Sequence, residues 1–220
     1  MKTIGIIGAG EVGSHIAQAA ILAGYNIVIS NSRGPETLGE LIQKLGPNAT
    51  AASSIDAASA GDVVVIAVPL KLENDMPTEA LVGKIVIDTN NYMVWRDGHY
   101  PQVDSGEKTV HELRQEQLIF SKVVKAFTHI QAPRILKWAR PKGSKDRAAL
   151  SVSSNYPEAV ELVVKLHDQF GFDTVDNSPL KESWRTAPGQ PAWKQERHNV
   201  VELIKNLNLA KRIHPQAANR

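Results

Sequence analysis

Three glycines within six residues, Gly8-Ala9-Gly10-Glu11-Val12-Gly13, carry the first chemical signal in this chain. They follow the apolar run Thr3-Ile4-Gly5-Ile6-Ile7 and open a segment in which Val12, Ile16, Ala19, Ala20 and Ala23 recur at helical spacing. In that setting each glycine has its own duty. Gly8 permits a tight strand-to-helix turn, Gly10 lets backbone approach a pyrophosphate, and Gly13 lets the helix pack closely on the strand. The helix start then turns free N–H groups and the positive end of its dipole toward phosphates. The chemistry expected is dinucleotide binding, with the Glu11 carboxylate turned to solvent.

A second set of residues refines the ligand. Where the next strand ends, a site that prefers NAD places a carboxylate on the two ribose hydroxyls. This chain has Asn31-Ser32-Arg33 there. A carboxylate would repel a 2′-phosphate, whereas a hydroxyl and a guanidinium fork bind one directly. NADP(H) is therefore expected over NAD(H).

Other polar groups fall at the carboxyl ends of expected strands, where open α/β sheets bind ligands. Asn90, Asn91 and Tyr92 follow one such strand, and Thr128 and His129 follow another. The asparagines suit either a ligand pocket or a turn. His129 is the candidate acid or base, against the plainer reading of a hydrogen-bonding loop residue. Trp95, Trp138, Trp184 and Trp193 suit a stacking wall or packing anchors. No metal site is expected: the seven histidines lack ligand spacing and the chain has no cysteine. No serine nucleophile elbow and no P-loop occurs either.

Short apolar runs alternate with helical patterns, which predicts βαβ units. Strands are expected at 3–7, 26–30, 49–54 (weakly), 62–68, 84–88, 122–126, 148–153 and 172–175. Helices are expected at 11–23, after Pro35, and at 110–117, 156–170 and 195–212. Residues 89–106 lack periodicity and read as a long functional loop, and 140–147 as a basic loop. The fold class is α/β, a Rossmann-type doubly wound, mostly parallel sheet with a short C-terminal helical appendage. Residues 1–180 form the expected NADP-binding domain and 181–220 a C-terminal extension.

A formal charge of +2 argues against a nucleic-acid or acidic-membrane partner. Residues 63–70 are the longest dense apolar run, too short to cross a bilayer. With no leader ahead of Thr3, these features predict a soluble, cytoplasmic protein that uses small-molecule partners. Only about 40 residues follow the expected core, so a homodimer is expected to complete the cleft.

Several segments together resemble the deazaflavin-dependent NADP oxidoreductase family. They are the strand–glycine start, Asn31-Ser32-Arg33-Gly34-Pro35, Ala67-Val68-Pro69, Asp88-Thr89-Asn90-Asn91-Tyr92, Val123-Val124-Lys125-Ala126-Phe127, and Gly171-Phe172-Asp173 with Pro179-Leu180. The cytosolic domain of six-transmembrane ferric reductases is similar over the same region, most of residues 1–180. The resemblance implies NADP contacts from Ala9 to Val12, Ser32 and Arg33, and from backbone near Val68, Pro69 and Ala126. It implies hydride transfer between NADPH and a deazaflavin coenzyme or FMN/FAD, chemistry that needs ring positioning and no obligatory acid or base. Two departures stand out. Thr37 replaces a lysine of archaeal members, and the tail after Leu180 departs from the archaeal pattern. Two other functions stay open: reduction of a small imine or carbonyl substrate, and a non-catalytic NADPH-binding module.

Overall fold

The computed structural model describes residues 2–70, 76–194 and 196–212. In chain order the elements are β1 (Thr3–Ile7), α1 (Glu11–Leu22), β2 (Asn26–Ser30), α2 (Gly39–Leu45), β3 (Ala49–Ala51), α3 (Ser54–Ala60), β4 (Val63–Ile66) and β5 (Ile85–Asp88). Then come α4 (Val94–Asp97), α5 (Pro101–Asp104), α6 (Val110–Gln117), β6 (Lys122–Lys125), α7 (Ala132–Lys137), β7 (Ala149–Ser154), α8 (Pro157–Phe170), β8 (Asp173–Asp176) and α9 (Val200–Leu209). The strands form one sheet in the order β3-β2-β1-β4-β5-β6-β7-β8. Every pairing is parallel except β6 with β7. The order reverses at β1, so the crevice between β1 and β4 is the topological switch point where such sheets bind ligands.

Both faces of the sheet are covered, and the strands accordingly read as continuous apolar runs. All four residues of β4 are buried, and they alternate between two cores. Val63 and Val65 join the core under α1, α7 and α8, while Val64 and Ile66 join the one with Ala58, Leu81 and Leu118. A third cluster ties the chain's end to the sheet: Leu203 and Leu207 of α9 pack on Ala149, Val175 and Ala192.

Backbone contacts closer than any side chain allows hold the first βαβ unit together. A Cβ on Gly13 would lie 1.9 Å from the Gly8 carbonyl oxygen, and one on Gly8, whose φ is +112°, 2.4 Å from that of Ala67. The position of Gly10 is the opposite case, with nothing within 4 Å of its would-be Cβ. Gly8 and Gly13 are thus required by the fold, and Gly10 faces open space.

Outside the loop expected at 89–106, two helices have no counterpart in the sequence reading. The first, α3, is made of Ser, Ala, Ile and Asp, too small a set to show hydrophobic periodicity. It is started by Ser53, whose hydroxyl accepts the Asp56 N–H, and seats against β1, since a Cβ on Gly5 would lie 2.1 Å from the Ala57 oxygen. It also shortens the expected third strand, which ends at Ala51. The other, α7, begins with Pro133 in its first turn and is short. The loop expected at 89–106 contains α4 and α5, single turns without heptad-scale pattern. The final helix runs only over α9, and Gln195, its expected first residue, lies outside the described residues, as do 213–220. No helix among the described residues is long and apolar enough to cross a membrane.

Burial of histidine makes the fold acid-sensitive. His129 and His167 are both driven down to about 3 from an ordinary 6.5, chiefly by desolvation of the charged form. Between those values the unfolded chain binds more protons than the native one, so stability falls as pH drops from 6.5 toward 3. The expected slope is about 1.4 kcal/mol per pH unit for each histidine. Urea unfolding at stepped pH should show it, and His129→Gln should remove one proton's share; a flat profile would contradict the burial. The glycines separate as cleanly. Gly10→Val should fold with a loss of about 1 kcal/mol or less, whereas Gly13→Val should cost more than about 3 kcal/mol or fail to fold.

Candidate functional site

The carboxyl ends of β1, β4, β5 and β6 open into a cleft of about 530 Å³. Glu11 and Val12 enter it from the start of α1, and Ala67, Val68 and Pro69 from the loop after β4. Thr89, Asn90 and Asn91 follow β5, and Phe127, Thr128 and Ile130 follow β6. The structure therefore brings six of the expected residues to one wall: Glu11, Val12, Val68, Pro69, Asn90 and Asn91. Gly8, Ala9, Gly10 and Gly13 form the turn beside them, and α1 starts at Gly10 with no side-chain cap on its first amides. Ala126 is wholly buried and reaches the cleft only through its successor, Phe127.

The Asn31–Arg33 turn stands apart from this wall, at the end of β2. The Asn31 side chain bridges it, accepting the Arg33 N–H at 3.0 Å and donating to Thr37 Oγ1 at 2.8 Å. Thr37 in turn donates to the Gly34 carbonyl at 2.8 Å. Thr37 thus shapes the turn. Ser32 and Arg33 are exposed.

His129, weighed as an acid or base, is placed otherwise. It is buried behind the cleft and its Nε2 accepts the Ser151 N–H at 2.9 Å. Its neutral ring ties β7 to the loop after β6 and lines neither cavity described here. The expected catalytic duty finds no support in that position, because a proton donor has to reach the reacting atoms.

A second cavity, of about 410 Å³, adjoins the first, and the two share Asn90 and Asn91. Its walls are Tyr92, Val94, Val103, Val110 and Trp184, with Lys108 and Arg212 on its lining. Arg185 and Arg212 lie over the Trp184 ring at 4.7 and 5.1 Å, which holds the indole in place. The loop carrying Tyr92 is tied by a compact knot. The phenol donates to Asp104 Oδ1 at 2.6 Å and accepts the Tyr100 N–H, while His99 contacts the other Asp104 oxygen at 2.8 Å. Partial burial and the Asp104 carboxylate push the Tyr92 phenol up to about 12, so it remains a donor.

Beneath this second cavity lies a charged cluster that sequence reasoning missed. Asp88, the last residue of β5, is wholly buried. Its Oδ1 accepts from Asn90 Nδ2 at 2.5 Å, its Oδ2 contacts His111 Nδ1 at 2.9 Å, and Arg114 Nε lies 3.8 Å away. Burial opposes the Asp88 charge, but His111, Arg114 and Asn90 outweigh it and hold the carboxyl at about 2. Burial also lowers His111 despite its acidic partner, so a neutral ring donates Nδ1–H to the carboxylate. Lys125, which ends β6, completes the group. The signal was present in the sequence, since charged Lys and Asp seldom end otherwise apolar strands, but nothing in it linked α6 to β5.

The C-terminal segment reaches both cavities from within the same chain. Trp193 lines the first, and Ser183, Trp184, Ala187, Pro188 and Gln190 line the second. The short tail that motivated the expectation of a dimer therefore already contributes walls in cis.

Comparison with known proteins places this architecture. Residues 3–92 match the family described as NADP oxidoreductase coenzyme F420-dependent. The hypothetical protein SMa0349 of Sinorhizobium meliloti is 30% identical, with a TM-score of 0.72 over 90% of this chain and 97% of that one. A structure from Arthrobacter sp. FB24, described as a candidate F420-dependent NADP-reductase, shares the fold at 24% identity and a TM-score of 0.69, covering 83% and 87% of the two chains. The mouse metalloreductase STEAP2 is 29% identical over 82% of this chain, which spans only 34% of that protein's length. A chain that matches the family across its first βαβ units, and keeps its likeness along nearly the whole of a solved relative, belongs to it: this is a member of the coenzyme F420-dependent NADP oxidoreductase family.

Proposed function

We propose that the chain is an NADP(H)-dependent oxidoreductase, holding the nicotinamide nucleotide in the first cleft and a deazaflavin or flavin acceptor in the adjoining cavity. One observation carries this reading: the two cavities meet at Asn90 and Asn91, at the carboxyl end of β5. A ring held in each would meet the other at that junction, where the stacked, near-attack approach that hydride transfer requires can form. Meeting at a fixed wall supplies the proximity from which most of the rate of such a transfer derives.

The residues present suit the nucleotide. The open space at Gly10 and the uncapped first turn of α1 fit a pyrophosphate, which would lie where a Cβ at position 10 would intrude. Gly8, Ala9, Gly10, Glu11, Val12 and Gly13 would follow its phosphates, and Val68, Pro69, Asn90, Asn91 and backbone at Ala126 its nicotinamide half. Ser32 and Arg33, in the turn fixed by Asn31 and Thr37, would hold the 2′-phosphate. When bound, the nucleotide supplies the hydride. The chain's own share is to position the two rings and to keep water from their junction, with Trp193 closing one side and Trp184 the other. The apolar side chains Val94, Val103 and Val110 suit the second cavity to a conjugated ring more than to a small hydrophilic substrate.

Titration followed by tryptophan fluorescence tests the cofactor. NADPH should bind more tightly than NADH, and Arg33→Ala should weaken NADPH by about tenfold or more while leaving NADH nearly unchanged. Equal losses for both nucleotides would remove Arg33 from the 2′-phosphate site. Gly10→Val, folded as wild type, should abolish binding of both. Addition of FMN, FAD and deazaflavin to the NADPH complex then reads the acceptor: oxidation of NADPH by one of them is the expected result, and by none of them would overturn this choice of acceptor.

A further inference from the structure

The second cavity contains a buried cation that hydride transfer by itself does not use. Lys125 is 2% exposed, ends β6, and lines the cavity that shares Asn90 and Asn91 with the nucleotide cleft. Its Nζ donates to the Ser183 carbonyl at 2.5 Å and to Thr186 Oγ1, both on the 3-10 segment Leu180–Thr186. Both partners are neutral. An ammonium has three N–H groups, so these two bonds fix its direction and leave one for the cavity. The ionised carboxylate of the region, Asp88, is already engaged by Asn90 and His111 and lies near Arg114. A lysine buried this way, held at its tip by two oxygen acceptors and, among the described residues, in no ion pair with a carboxylate, is costly for stability. A role at the ligand gives a reason for it.

We infer that Lys125 is the proton donor to the acceptor reduced in this cavity. The inference rests on the second cavity being the acceptor's seat. The overall balance is NADPH plus acceptor plus H⁺ giving NADP⁺ plus the two-electron-reduced acceptor. The nicotinamide loses a hydride and is oxidised, the acceptor gains that hydride and both its electrons, and one further proton has to reach the acceptor. That proton comes from Lys125: an Nζ–H bond breaks, a bond from hydrogen to an acceptor ring nitrogen or oxygen forms, and the lysine is left as a neutral amine. Solvent entering past Lys108 and Arg212 on the cavity lining returns the proton. In the opposite direction the amine receives it.

The surroundings make both states of the lysine accessible. Burial lowers its proton affinity to about 7, against the attraction of Asp88. The other titratable groups around it are Arg114, across Asp88, and the neutral rings of His111 and His129. The 3-10 segment presents the Ser183 carbonyl and the Thr186 hydroxyl to it. A group poised near neutrality is suited to giving and regaining a proton.

Two measurements on the full chain decide the matter. The first follows the Cε resonances of ¹³C-lysine-labelled protein against pH: Lys125, assigned by its absence in Lys125→Arg, should titrate near 7, and a midpoint at the ordinary 10.5 would overturn the proposal. This reading needs no acceptor. The second is single-turnover reduction of FMN, FAD or deazaflavin by NADPH. Lys125→Met should slow it by about 100-fold, with NADPH affinity held within about twofold and the loss of rate above pH 7 abolished. Lys125→Arg keeps the charge and its bonding but not a transferable proton, and should be slow as well. Wild-type rates and pH profile in Lys125→Arg would overturn the role, and that variant with the titration decides should Lys125→Met fail to fold. A wild-type protein that binds NADPH yet reduces none of the three would refute the acceptor reading and this role with it, whereas active variants with a normal profile refute this role alone.

Discussion

Contact of backbone on backbone at the first strand-to-helix turn is the constraint from which the rest of the molecule is built. With the Gly13 Cα pressed toward the Gly8 carbonyl and Gly8 against Ala67, no side chain separates α1, β1 and the strand beyond. That closeness fixes where α1 begins, and hence where its first amides point. It also brings the loop after β4 to the same wall as the helix start, so that Val12 and Val68 line one cleft. Gly5, under α3, repeats the device on the opposite face of the same strand. The apolar cores then follow from ordinary alternation along buried strands, but their spacing is set by glycine.

Away from this turn the structure is organised by polar groups that are buried in spite of their cost. Asp88, His111, Arg114 and Lys125 come from three elements and meet under the second cavity. Such a cluster adds little net stability compared with an apolar core, since desolvation of each charge offsets the attraction between them. What it provides is position. Asp88 orients Asn90, which lies at the junction of the two cavities, and Lys125 anchors the 3-10 segment that carries Trp184. The C-terminal segment is thereby locked to the ligand end of the sheet by hydrogen bonds, while α9 locks it to β7 and β8 by apolar packing.

The loop after β5 illustrates how a segment without pattern acquires structure. Residues 89–106 have no periodicity and little core of their own. Tyr92, His99, Tyr100 and Asp104 nevertheless bond to one another, and Arg96 donates to the Asn91 carbonyl at 2.6 Å. Side-chain hydrogen bonds here replace the apolar contacts that order a helix. The result is a ligand-side wall on which Tyr92 and Asp104 of the polar knot stand beside the apolar Val94 and Val103.

The sequence by itself determined the elements whose signal is local. The strand, the glycine turn and the helix after it were legible because each glycine is demanded by its immediate neighbours, and β2, α6 and α8 because their apolar periodicity is intrinsic to them. The same local signal placed Glu11, Val12, Asn90 and Asn91 on the ligand side, and the family resemblance added Val68 and Pro69. It failed for α3, whose small residues carry no periodicity, and for α7, which is too short. Tertiary structure alone decided that β7 runs antiparallel to β6, that the tail lines both cavities, and that His129 is a buried brace. It alone joined Asp88, His111, Arg114 and Lys125, which are up to 37 positions apart from Asp88 to Lys125. Contacts at such separations arise from the order of strands in the sheet, and no pattern within one element encodes the neighbour that another will bring.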